Sequence, residues 1–350
     1  MGELELETVI LHGDPYQRGR QQGSLLRESI TELLDWYETR FYAVTPKSDV
    51  LPILDSMLRF LRESYPEVVE ELEGVAAGAS LSLDAIARIN FGGAISCVLR
   101  SQLATAGSCS VVAFTDAPEG AIVGKNTDLD SSPETFYVLK IVVPDRGIPY
   151  LGYGHVGGPW VEAVINAEGL AIAQASSQIQ PHQDPYAMPI LHSLHLAAQC
   201  ASRTKEAVDF LGGIVYAGQG ANWMVADAAG NVVAIERAHD RQIVRTPEYD
   251  CIYFANHFLT PEMEATTQGG REHSLGRIAR YREIFANEPP EHSLEGLRRT
   301  IADHGGAVSP CLHGHSGMYT RYACILIPRR REMRLFRGPA CIAPAESYFV

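Results

Sequence analysis

The sharpest change in the hydrophobic pattern of this chain falls at Gly107. Before that residue, apolar side chains recur every three or four positions, as in SLLRESITELLDWYETRFYAV and VLPILDSMLRFLRESYP, which predicts amphipathic helices. After it, apolar residues form short alternating runs, as in CSVVAFT and YVLKIVVP, between turns rich in glycine, aspartate, asparagine and proline. This second pattern predicts consecutive β-strands. The chain therefore begins with a helical layer and continues with sheets.

Helical patterns return twice among the strands, in PILHSLHLAAQCASRTKEAVDFL and GGREHSLGRIARYREIFA. Two further strands, ACILIP and EMRLFRG, close the pattern. Groups of consecutive strands with intervening pairs of helices are typical of the α+β class, in which antiparallel sheets are covered by helices. The sequence contains neither an internal repeat nor a low-complexity linker.

Charge and composition exclude several classes of protein. The formal net charge is −13, so there is no excess of basic residues to neutralise nucleic-acid phosphates, and we expect no nucleic-acid partner. The basic run 329–331 follows an apolar strand and is interpreted as a solvated strand end. No apolar stretch reaches the roughly 18 residues of a membrane span, and no signal peptide is visible at the N-terminus. We therefore expect a cytoplasmic protein without membrane association.

The seven cysteines are odd in number and scattered, which favours reduced thiols over a disulfide framework. None of them forms a CxxC pair. The nearest approach to a metal-binding pattern is PCLHGHSG, with Cys311, His313 and His315. No second pair of ligands stands nearby in the sequence, so we interpret this stretch as a polar loop and expect no metal site.

The stretch GSCSVVAF places a cysteine where the strands begin. A cysteine in a strand is most often a small buried hydrophobe. Here Cys109 follows two small residues, Gly107 and Ser108, and the next strand ends in the polar cluster GKNTDLD. A β-hairpin would fold Lys125 and Asp128 back toward the start of the first strand. We therefore expect a thiol, an ammonium group and a carboxylate to lie close together.

Cleavage of the Ser108–Cys109 peptide bond would make Cys109 a chain terminus. Its own α-amine, with a pKa of about 7.7 to 8.0, could then serve as the base for its thiol, and no histidine would be required. The same thiol could first attack the preceding carbonyl group, and hydrolysis of the resulting thioester would complete the cleavage. The position of this cysteine is therefore compatible with self-processing.

Eight motifs occur in a characteristic order: GDPYQRGRQQG, CSVVAF, GKNTDLD, VINAEGLAIA, NWMVADAAGNVVAIE, ANHF, TRYACILI and GPAC. Each is weak alone, but together they cover nearly the whole chain. With these motifs in this order, the sequence resembles the acyl-coenzyme A:isopenicillin N (6-aminopenicillanic acid) acyltransferase family of N-terminal nucleophile (Ntn) cysteine hydrolases. Choloylglycine hydrolases and penicillin V acylases are more distant relatives of that family.

The resemblance implies the Ntn fold, a four-layer αββα sandwich of two antiparallel sheets between helical layers. It also implies that residues 1–108 are a helical pro-segment that remains bound as an α chain after cleavage. Residues 109–350 would then be the catalytic β chain of an α/β heterodimer. The chemistry implied for the family requires no cofactor.

The resemblance implies a role for five residues of the site. Cys109 would be the nucleophile of both self-cleavage and catalysis, and Asp128 would accept a hydrogen bond from the new α-amine. Lys125 stands where choloylglycine hydrolases have an arginine, and a cation here would favour the thiolate. Asn256, in ANHF, would donate its side-chain amide to the oxyanion. Arg321 matches a late arginine near the nucleophile and the carboxylate.

Three positions depart from the family pattern. Ser108 precedes the nucleophile where glycine is common, and Thr127 replaces a bulky aromatic residue. Ser176 stands near the position of a second oxyanion asparagine of choloylglycine hydrolases. These differences affect the identity of the substrate more than the mechanism.

The segment GYGHVGGPW is a candidate for substrate binding. Glycines on both sides of His155 predict a loop over a cavity, and Tyr153 and Trp160 would supply an aromatic wall for an acyl chain.

Structural interpretations of the same residues stay open. Asp128 could cap a turn, Lys125 could be a solvated strand end, and Asn256 could form a turn. We interpret His257 as structural, because a thiol served by an α-amine needs no histidine.

The sequence therefore predicts a self-cleaving cysteine amidohydrolase or acyltransferase. We expect its substrate to be a small amide, peptide or N-acyl amino compound within secondary metabolism, and the candidates for its partners are an acyl-coenzyme A donor and an amine acceptor. Two alternatives stay open: an unprocessed Ntn scaffold that only binds, and a cysteine hydrolase that does not self-cleave and uses His155 or His257 as its base. The oligomeric state, including a homo-oligomer, is left undetermined.

Overall fold

The change from helices to strands that the hydrophobic pattern predicts is present in the computed structural model. This structure describes residues 7–99, 108–129, 136–177, 179, 184–264, 266, 272–315 and 317–350. Gly107, at the predicted change of period, lies outside the described residues. The α-helices among the described residues are α1 (Pro15–Leu25), α2 (Arg27–Tyr37), α3 (Lys47–Ser64), α4 (Pro66–Ala79), α5 (Leu83–Val98), α6 (Leu194–Cys200), α7 (Thr204–Gly212), α8 (Pro261–Glu264), α9 (Glu272–Asn287) and α10 (Leu294–Ile301).

The strands form two large sheets. Those assigned in the described residues are β1 (Glu7–Gly13), β2 (Ser108–Ala117), β3 (Gly120–Leu129), β4 (Tyr137–Pro144), β5 (Tyr150–His155), β6 (Ala163–Asn166), β7 (Ala171–Ser177), β8 (Met188–Pro189), β9 (Tyr216–Ala217), β10 (Gly220–Ala226), β11 (Val232–Ala238), β12 (Arg241–Arg245), β13 (Cys251–Phe254), β14 (His313–His315), β15 (Met318–Ile327), β16 (Glu332–Phe336) and β17 (Ala345–Phe349). Sheet A has the order β1-β4-β5-β6-β7-β10-β11-β12, and sheet B has the order β13-β2-β3-β15-β16-β17, with β14 beside β15. Strands β8 and β9 form a separate short pair.

Local sequence explains the start of the helical layer. Asp14 caps α1 by accepting a hydrogen bond from the backbone of Gln17, and Pro15 occupies the first turn, where its missing N–H costs nothing. The glycines of GRQQG allow α1 to approach α4 closely, because a Cβ atom at Gly19 would clash with the backbone of Glu71. The motif therefore specifies a tight helix pair.

Three apolar clusters separate four layers. Side chains such as Val111, Leu139 and Met224 fill the space between the two sheets. A second cluster lies between sheet A and helices α2 through α7. A third lies between sheet B and helices α9 and α10. Two antiparallel sheets packed face to face, with helices on both outer faces, confirm the predicted α+β class and the four-layer αββα sandwich.

The hairpin of β2 and β3 positions the candidate site. Its register pairs Cys109 with Thr127, Val111 with Lys125, and Ser108 with Asp128. Because side chains alternate between the faces of a strand, Cys109 and Lys125 share the face toward sheet A, and Asp128 lies on the face toward the helices. The predicted hairpin is confirmed, but it brings the carboxylate to the opposite face from the thiol.

The N-terminal segment is part of the sandwich. Strand β1 pairs in parallel with β4 over seven residue pairs, from Glu7 with Val138 to Gly13 with Pro144. None of the helices in the described ranges combines the length and the apolar composition that crossing a bilayer requires.

Candidate active site

Cys109 occupies the second position of β2, at the edge of the space between the sheets. It is only 7 % exposed, and its backbone N–H donates a hydrogen bond of 2.9 Å to Oδ1 of Asn256. Burial raises the pKa of its thiol, and the positive charge of Lys125 offsets part of that rise. The thiol is thus held in a desolvated position with a cation as its main stabilising charge.

Lys125 forms a buried ion pair with Glu162, with 3.2 Å between Nζ and Oε2. Glu162 also accepts hydrogen bonds from the hydroxyl groups of Tyr137, at 2.8 Å, and Thr127, at 3.0 Å. Burial lowers the pKa of Lys125, but Cys109 and Glu162 together raise it above its ordinary value. Burial likewise raises the pKa of Glu162, but Lys125 outweighs this and the net shift is downward. Both groups are therefore charged at neutral pH.

Asp128 is completely buried on the helical face of β3. Its Oδ2 lies 3.3 Å from Nη1 of Arg277, and its Oδ1 accepts a 2.6 Å hydrogen bond from the hydroxyl group of Thr320. Burial raises the pKa of this carboxyl group to about 6, although Arg277 opposes the rise. Arg277 also donates to Oγ of Ser108 and, at 2.7 Å, to Oδ1 of Asn256. One guanidinium group therefore links the carboxylate, the residue before the nucleophile and the candidate oxyanion residue.

Asn256 lies beside the nucleophile as expected, and hydrogen bonds fix both ends of its side-chain amide as well as its backbone. Oδ1 accepts from the backbone of Cys109, and Nδ2 donates a 2.8 Å hydrogen bond to the carbonyl oxygen of Ser176. The backbone N–H of Asn256 donates to Oγ of Ser274, also at 2.8 Å. In this structure the side chain is therefore an acceptor for the peptide N–H of Cys109.

Asn222, on β10, positions the segment that carries Asn256. Its Nδ2 donates to the carbonyl oxygens of Ala255, at 3.0 Å, and His257, at 3.2 Å, and to Oγ of Ser177, at 2.7 Å. These contacts fix the backbone on both sides of Asn256. The residue is the first asparagine of the motif NWMVADAAGNVVAIE.

Arg321 lies where β15 departs from regular pairing with β3. The register shifts between Thr320 and Tyr322, which pair with Asp128 and Thr127. The guanidinium group of Arg321 lies 5.0 Å from the ring centroid of Tyr319. Among the described residues, the arginine that contacts the carboxylate is Arg277, on α9. The expected arginine partner of the carboxylate is therefore supplied by a helix.

The aromatic residues of the predicted wall lie on β5 and just after it. Tyr153 and His155 belong to β5 and Trp160 follows it, so the loop predicted around His155 begins only after that residue. Tyr153 is fully buried and its hydroxyl group contacts that of Thr127 at 2.5 Å. The ring of His155 lies 4.1 Å from that of Trp160 and 4.5 Å from that of Tyr137. The three predicted residues thus adjoin the Lys125 ion pair.

The two histidines considered as alternative bases have other described contacts. His155 stacks among aromatic rings, and burial lowers its pKa to about 4, which keeps it neutral. Nδ1 of His257 contacts Oγ of Ser274 at 2.6 Å, and burial lowers its pKa as well. The described geometry therefore favours neither ring as a base for the thiol.

Sequence reasoning missed Glu162, Arg277 and Asn222. Arg277 had a usable signal, because it occupies the buried stripe of α9 with Ser274, Ile278 and Tyr281, where an unpaired charge would be costly. Glu162 precedes the short strand β6 and Asn222 begins a motif, but neither spacing indicates a partner.

The layers and the site together define the class. Two mainly antiparallel sheets between helices, with a cysteine at the start of an inner strand, form an Ntn-hydrolase fold. The model of the acyl-coenzyme A:6-aminopenicillanic acid acyl-transferase family matches residues 115–318, more than half of the chain. The chain belongs to this family.

Comparisons with individual proteins give more distant matches. An uncharacterized protein of Archaeoglobus fulgidus is 23 % identical over 326 residues, which cover 76 % of this chain and 52 % of that protein, so the chain spans about half the length of this relative. One similar solved structure is a conjugated bile acid hydrolase variant from Clostridium perfringens, with a TM-score of 0.45 and 13 % identity over 69 % of this chain and 97 % of that one. Another is a Caenorhabditis elegans N-acylethanolamine-hydrolyzing acid amidase ortholog, with a TM-score of 0.47 and 14 % identity over 69 % of this chain and 99 % of that one. A third is penicillin V acylase from Agrobacterium tumefaciens, with a TM-score of 0.45 and 13 % identity over 69 % of this chain and 86 % of that one.

Proposed function

We propose that this protein is a self-processing cysteine amidohydrolase or acyltransferase that acts on a small amide, peptide or N-acyl amino compound. The observation that carries the proposal is the position of Cys109. It begins a central strand with its backbone nitrogen 2.9 Å from Oδ1 of Asn256 and its thiol beside the buried charge of Lys125. A cysteine that only filled space would need neither a charged neighbour nor a side-chain acceptor for its backbone.

The first reaction is self-cleavage between Ser108 and Cys109. Sγ of Cys109 attacks the carbonyl carbon of Ser108, the carbon–nitrogen bond breaks, and the thiol proton passes to the departing nitrogen. Water then hydrolyses the thioester, which leaves a carboxylate on Ser108 and regenerates the thiol. The contact of Arg277 with Oγ of Ser108 holds the residue that must be attacked.

Cleavage would convert the backbone nitrogen of Cys109 into an amine at the position now occupied by the peptide N–H. Asn256 Oδ1 already accepts from that nitrogen and would orient the amine. With a pKa of about 7.7 to 8.0, the amine can take the thiol proton at neutral pH. In this geometry Asp128 acts on the amine through Arg277 and Asn256 rather than directly.

The catalytic cycle uses the same thiol on an external amide. The thiolate attacks the amide carbonyl, the amine leaves with a proton from the α-amine, and a thioester remains on Cys109. Water or an acceptor amine then takes the acyl group, with acyl-coenzyme A as the alternative acyl donor. Nδ2 of Asn256 has a second N–H beside its bond to Ser176, and we assign this donor to the oxyanion.

The aromatic residues near the ion pair are the proposed wall of the substrate pocket. The rings of Tyr137, Tyr153 and Tyr322 lie 5.0 to 6.3 Å apart, next to Thr127 in the position of the missing bulky residue. Apolar walls with a few fixed polar groups are typical of sites for small molecules. Such a wall would accommodate the acyl chain of a substrate from secondary metabolism.

The decisive test compares the wild-type protein with its Cys109→Ala variant by mass spectrometry under denaturing conditions. We expect two wild-type fragments that split before Cys109 and one intact variant chain. Cys324→Ala is the matched control, because Cys324 is a buried cysteine paired in register with Lys125 on the neighbouring strand. It should leave cleavage intact. The cleaved protein is then incubated with a panel of N-acyl amides, and acyl-Cys109 is sought as a mass increment.

An uncut wild-type chain would contradict self-processing but not the family. Hydrolysis of amides by the uncut chain would then favour a cysteine hydrolase with a histidine base. An uncut chain with an unreactive thiol would favour a scaffold that only binds.

A further inference from the structure

Four side chains outside the candidate active site converge at the end of sheet B. They are His304, Cys311, His313 and Cys341, and their potential ligand atoms all lie within 4.8 Å of one another. Nε2 of His313 lies 3.1 Å from Nε2 of His304, 3.4 Å from Sγ of Cys311 and 3.3 Å from Sγ of Cys341. The two sulfur atoms are 3.7 Å apart. Neither the self-cleavage nor the amide chemistry uses these residues.

These four separations are close to edges of one coordination tetrahedron, which has six. With zinc–sulfur bonds of about 2.3 Å and zinc–nitrogen bonds of about 2.05 Å, tetrahedral edges measure about 3.3 Å between nitrogens and about 3.8 Å between sulfurs, with mixed edges between these values. The observed separations follow the same order, with the nitrogen pair shortest and the sulfur pair longest. Because sulfur is larger than nitrogen, packed side chains show the same order, and the feature that indicates a metal site is the convergence of four ligand-type side chains within 4.8 Å of one another.

We infer that His304, Cys311, His313 and Cys341 form a structural zinc site. Two thiolates and two imidazoles in a tetrahedron favour zinc among the common divalent ions. Binding releases the two thiol protons to solvent, and the two thiolates then neutralise the charge of the metal ion. Because four protein ligands complete the tetrahedron, no position is left for water or substrate, and the ion would stabilise the fold rather than catalyse a reaction.

The site would join two stretches of the chain, residues 304–313 and the segment that carries Cys341. His304 follows α10, Cys311 and His313 lead into β14, and Cys341 lies between β16 and β17. The sequence analysis found no second pair of ligands near Cys311 and His313, but the fold places His304 and Cys341 beside them. His304 precedes the pair along the chain and Cys341 follows it.

The proposed zinc site is connected to the candidate active site by one short chain of hydrogen bonds. Leu312 lies between two of the ligands, and its backbone N–H donates to Oγ1 of Thr320 at 2.9 Å. The backbone N–H of Thr320 donates to the carbonyl oxygen of Leu312, also at 2.9 Å, and its hydroxyl group donates to Asp128. The ion would therefore hold the segment that positions Thr320 against Asp128.

The test measures metal content of the purified full-length protein by inductively coupled plasma mass spectrometry. We expect close to one zinc ion per chain in the wild type and loss of that zinc in Cys341→Ser and His304→Ala. Cys200→Ser and His12→Ala are matched controls, because both residues are exposed and lie outside the cluster. Both should retain the zinc.

A second measurement replaces zinc with Co²⁺ in the wild-type chain. Tetrahedral coordination with two thiolates should give strong visible ligand-field bands and sulfur-to-metal charge-transfer bands, and titration should saturate at one ion per chain. Because this spectrum is recorded on the wild type, it decides the question even if a variant does not fold.

Two results would overturn the inference. One is a folded wild-type protein that retains no zinc and gives no thiolate–cobalt spectrum. The other is a Cys311–Cys341 disulfide, seen as a mass lower by two hydrogens before reduction. Both readouts apply to the uncut Cys109→Ala chain, so the zinc site and the proposed enzymatic function can fail independently.

Discussion

The pKa of the Cys109 thiol is set by opposing effects. Burial raises this pKa most, Lys125 lowers it, Glu162 and Asp128 raise it, and Arg277 lowers it. The ion pair of Lys125 and Glu162 therefore acts on the thiol with two opposite signs. Substitution of each partner separates these contributions.

Lys125→Met should slow the alkylation of Cys109 by iodoacetamide at pH 7 about tenfold or more, because loss of a cation a few ångströms away raises the thiol pKa by about one unit or more. Glu162→Gln should accelerate the same reaction, because its carboxylate raises the thiol pKa. The rates are measured by mass spectrometry of the peptide that contains Cys109, within one cleavage state. Lys205→Met, at an exposed site on α7, should change nothing.

Changes of the same sign in both variants would contradict this electrostatic account. They would indicate that the ion pair matters for packing alone.

The pKa of about 6 for Asp128 predicts a specific pH dependence of stability. The unfolded carboxyl group has a pKa of about 3.9, so between pH 4 and 6 the folded chain binds a proton that the unfolded chain has lost. The free energy of unfolding therefore falls as pH rises through this window, by about 2 kcal/mol within it and about 3 kcal/mol over the whole titration. Asp128→Asn removes this titration.

The measurement is urea unfolding of Cys109→Ala chains with and without Asp128→Asn, at pH 4 and pH 7. The stability of the chain with Asp128, relative to that with Asn, should fall by about 2 kcal/mol between the two pH values. Asp55→Asn, at an exposed position on α3, is the control and should show little trend. A relative stability that rises with pH would mean that Arg277 outweighs burial.

At the scale of elements, β10 positions the segment of Asn256 through one side chain. Asn222→Ala should slow self-cleavage about 100-fold, because displacement of a catalytic amide by about an ångström has an effect of that order. The cleaved fraction of freshly synthesised chain is followed in time by denaturing mass spectrometry. A rate equal to that of the wild type in a folded variant would remove Asn222 as a positioning residue.

Asn166 provides the matched control for this substitution. It is a buried asparagine on β6, and its Nδ2 bridges the carbonyl oxygens of Ala198 and Ala201, each at 2.8 Å. Asn166→Ala removes a comparable bridge away from Cys109. It should lower the stability while the folded protein keeps its rate of self-cleavage.

Elements whose pattern is local were predictable from the sequence. The capped helix after Asp14 and the hairpin of β2 and β3 follow from turn residues and from the period of the apolar positions. The glycines of GYGHVGG indicate a loop around His155, but this residue ends β5 and the loop follows it. In the structure, Gly152 and Gly154 instead allow β5 to pack closely against Val161 and Trp160.

At the scale of the whole molecule, the two cleavage products should stay together. Strand β1 pairs with β4 over seven residue pairs, and the helical layer shares an apolar core with sheet A. Native mass spectrometry should therefore give one complex from the two fragments that denaturing conditions separate. Dissociation without denaturant would contradict the proposed α and β chains.

Two neighbouring residues of β1 provide a matched test of this association. Leu11 is fully buried and Ile10 is 53 % exposed. Leu11→Asp should weaken the association of the fragments, because it buries a charge, and Ile10→Asp should leave the complex intact.

The sequence by itself determined the α+β class, the hairpin that begins at Cys109 and the order of motifs that carries the family. These features depend on the period of apolar residues and on turn chemistry, which act between neighbours in the chain. Only the tertiary structure decided which charges meet: Glu162 with Lys125, Arg277 with Asp128, and His304 and Cys341 with the pair in PCLHGH. The physical reason is that a buried charge or ligand must find its partner in space, and packing of layers places partners together from any separation along the chain.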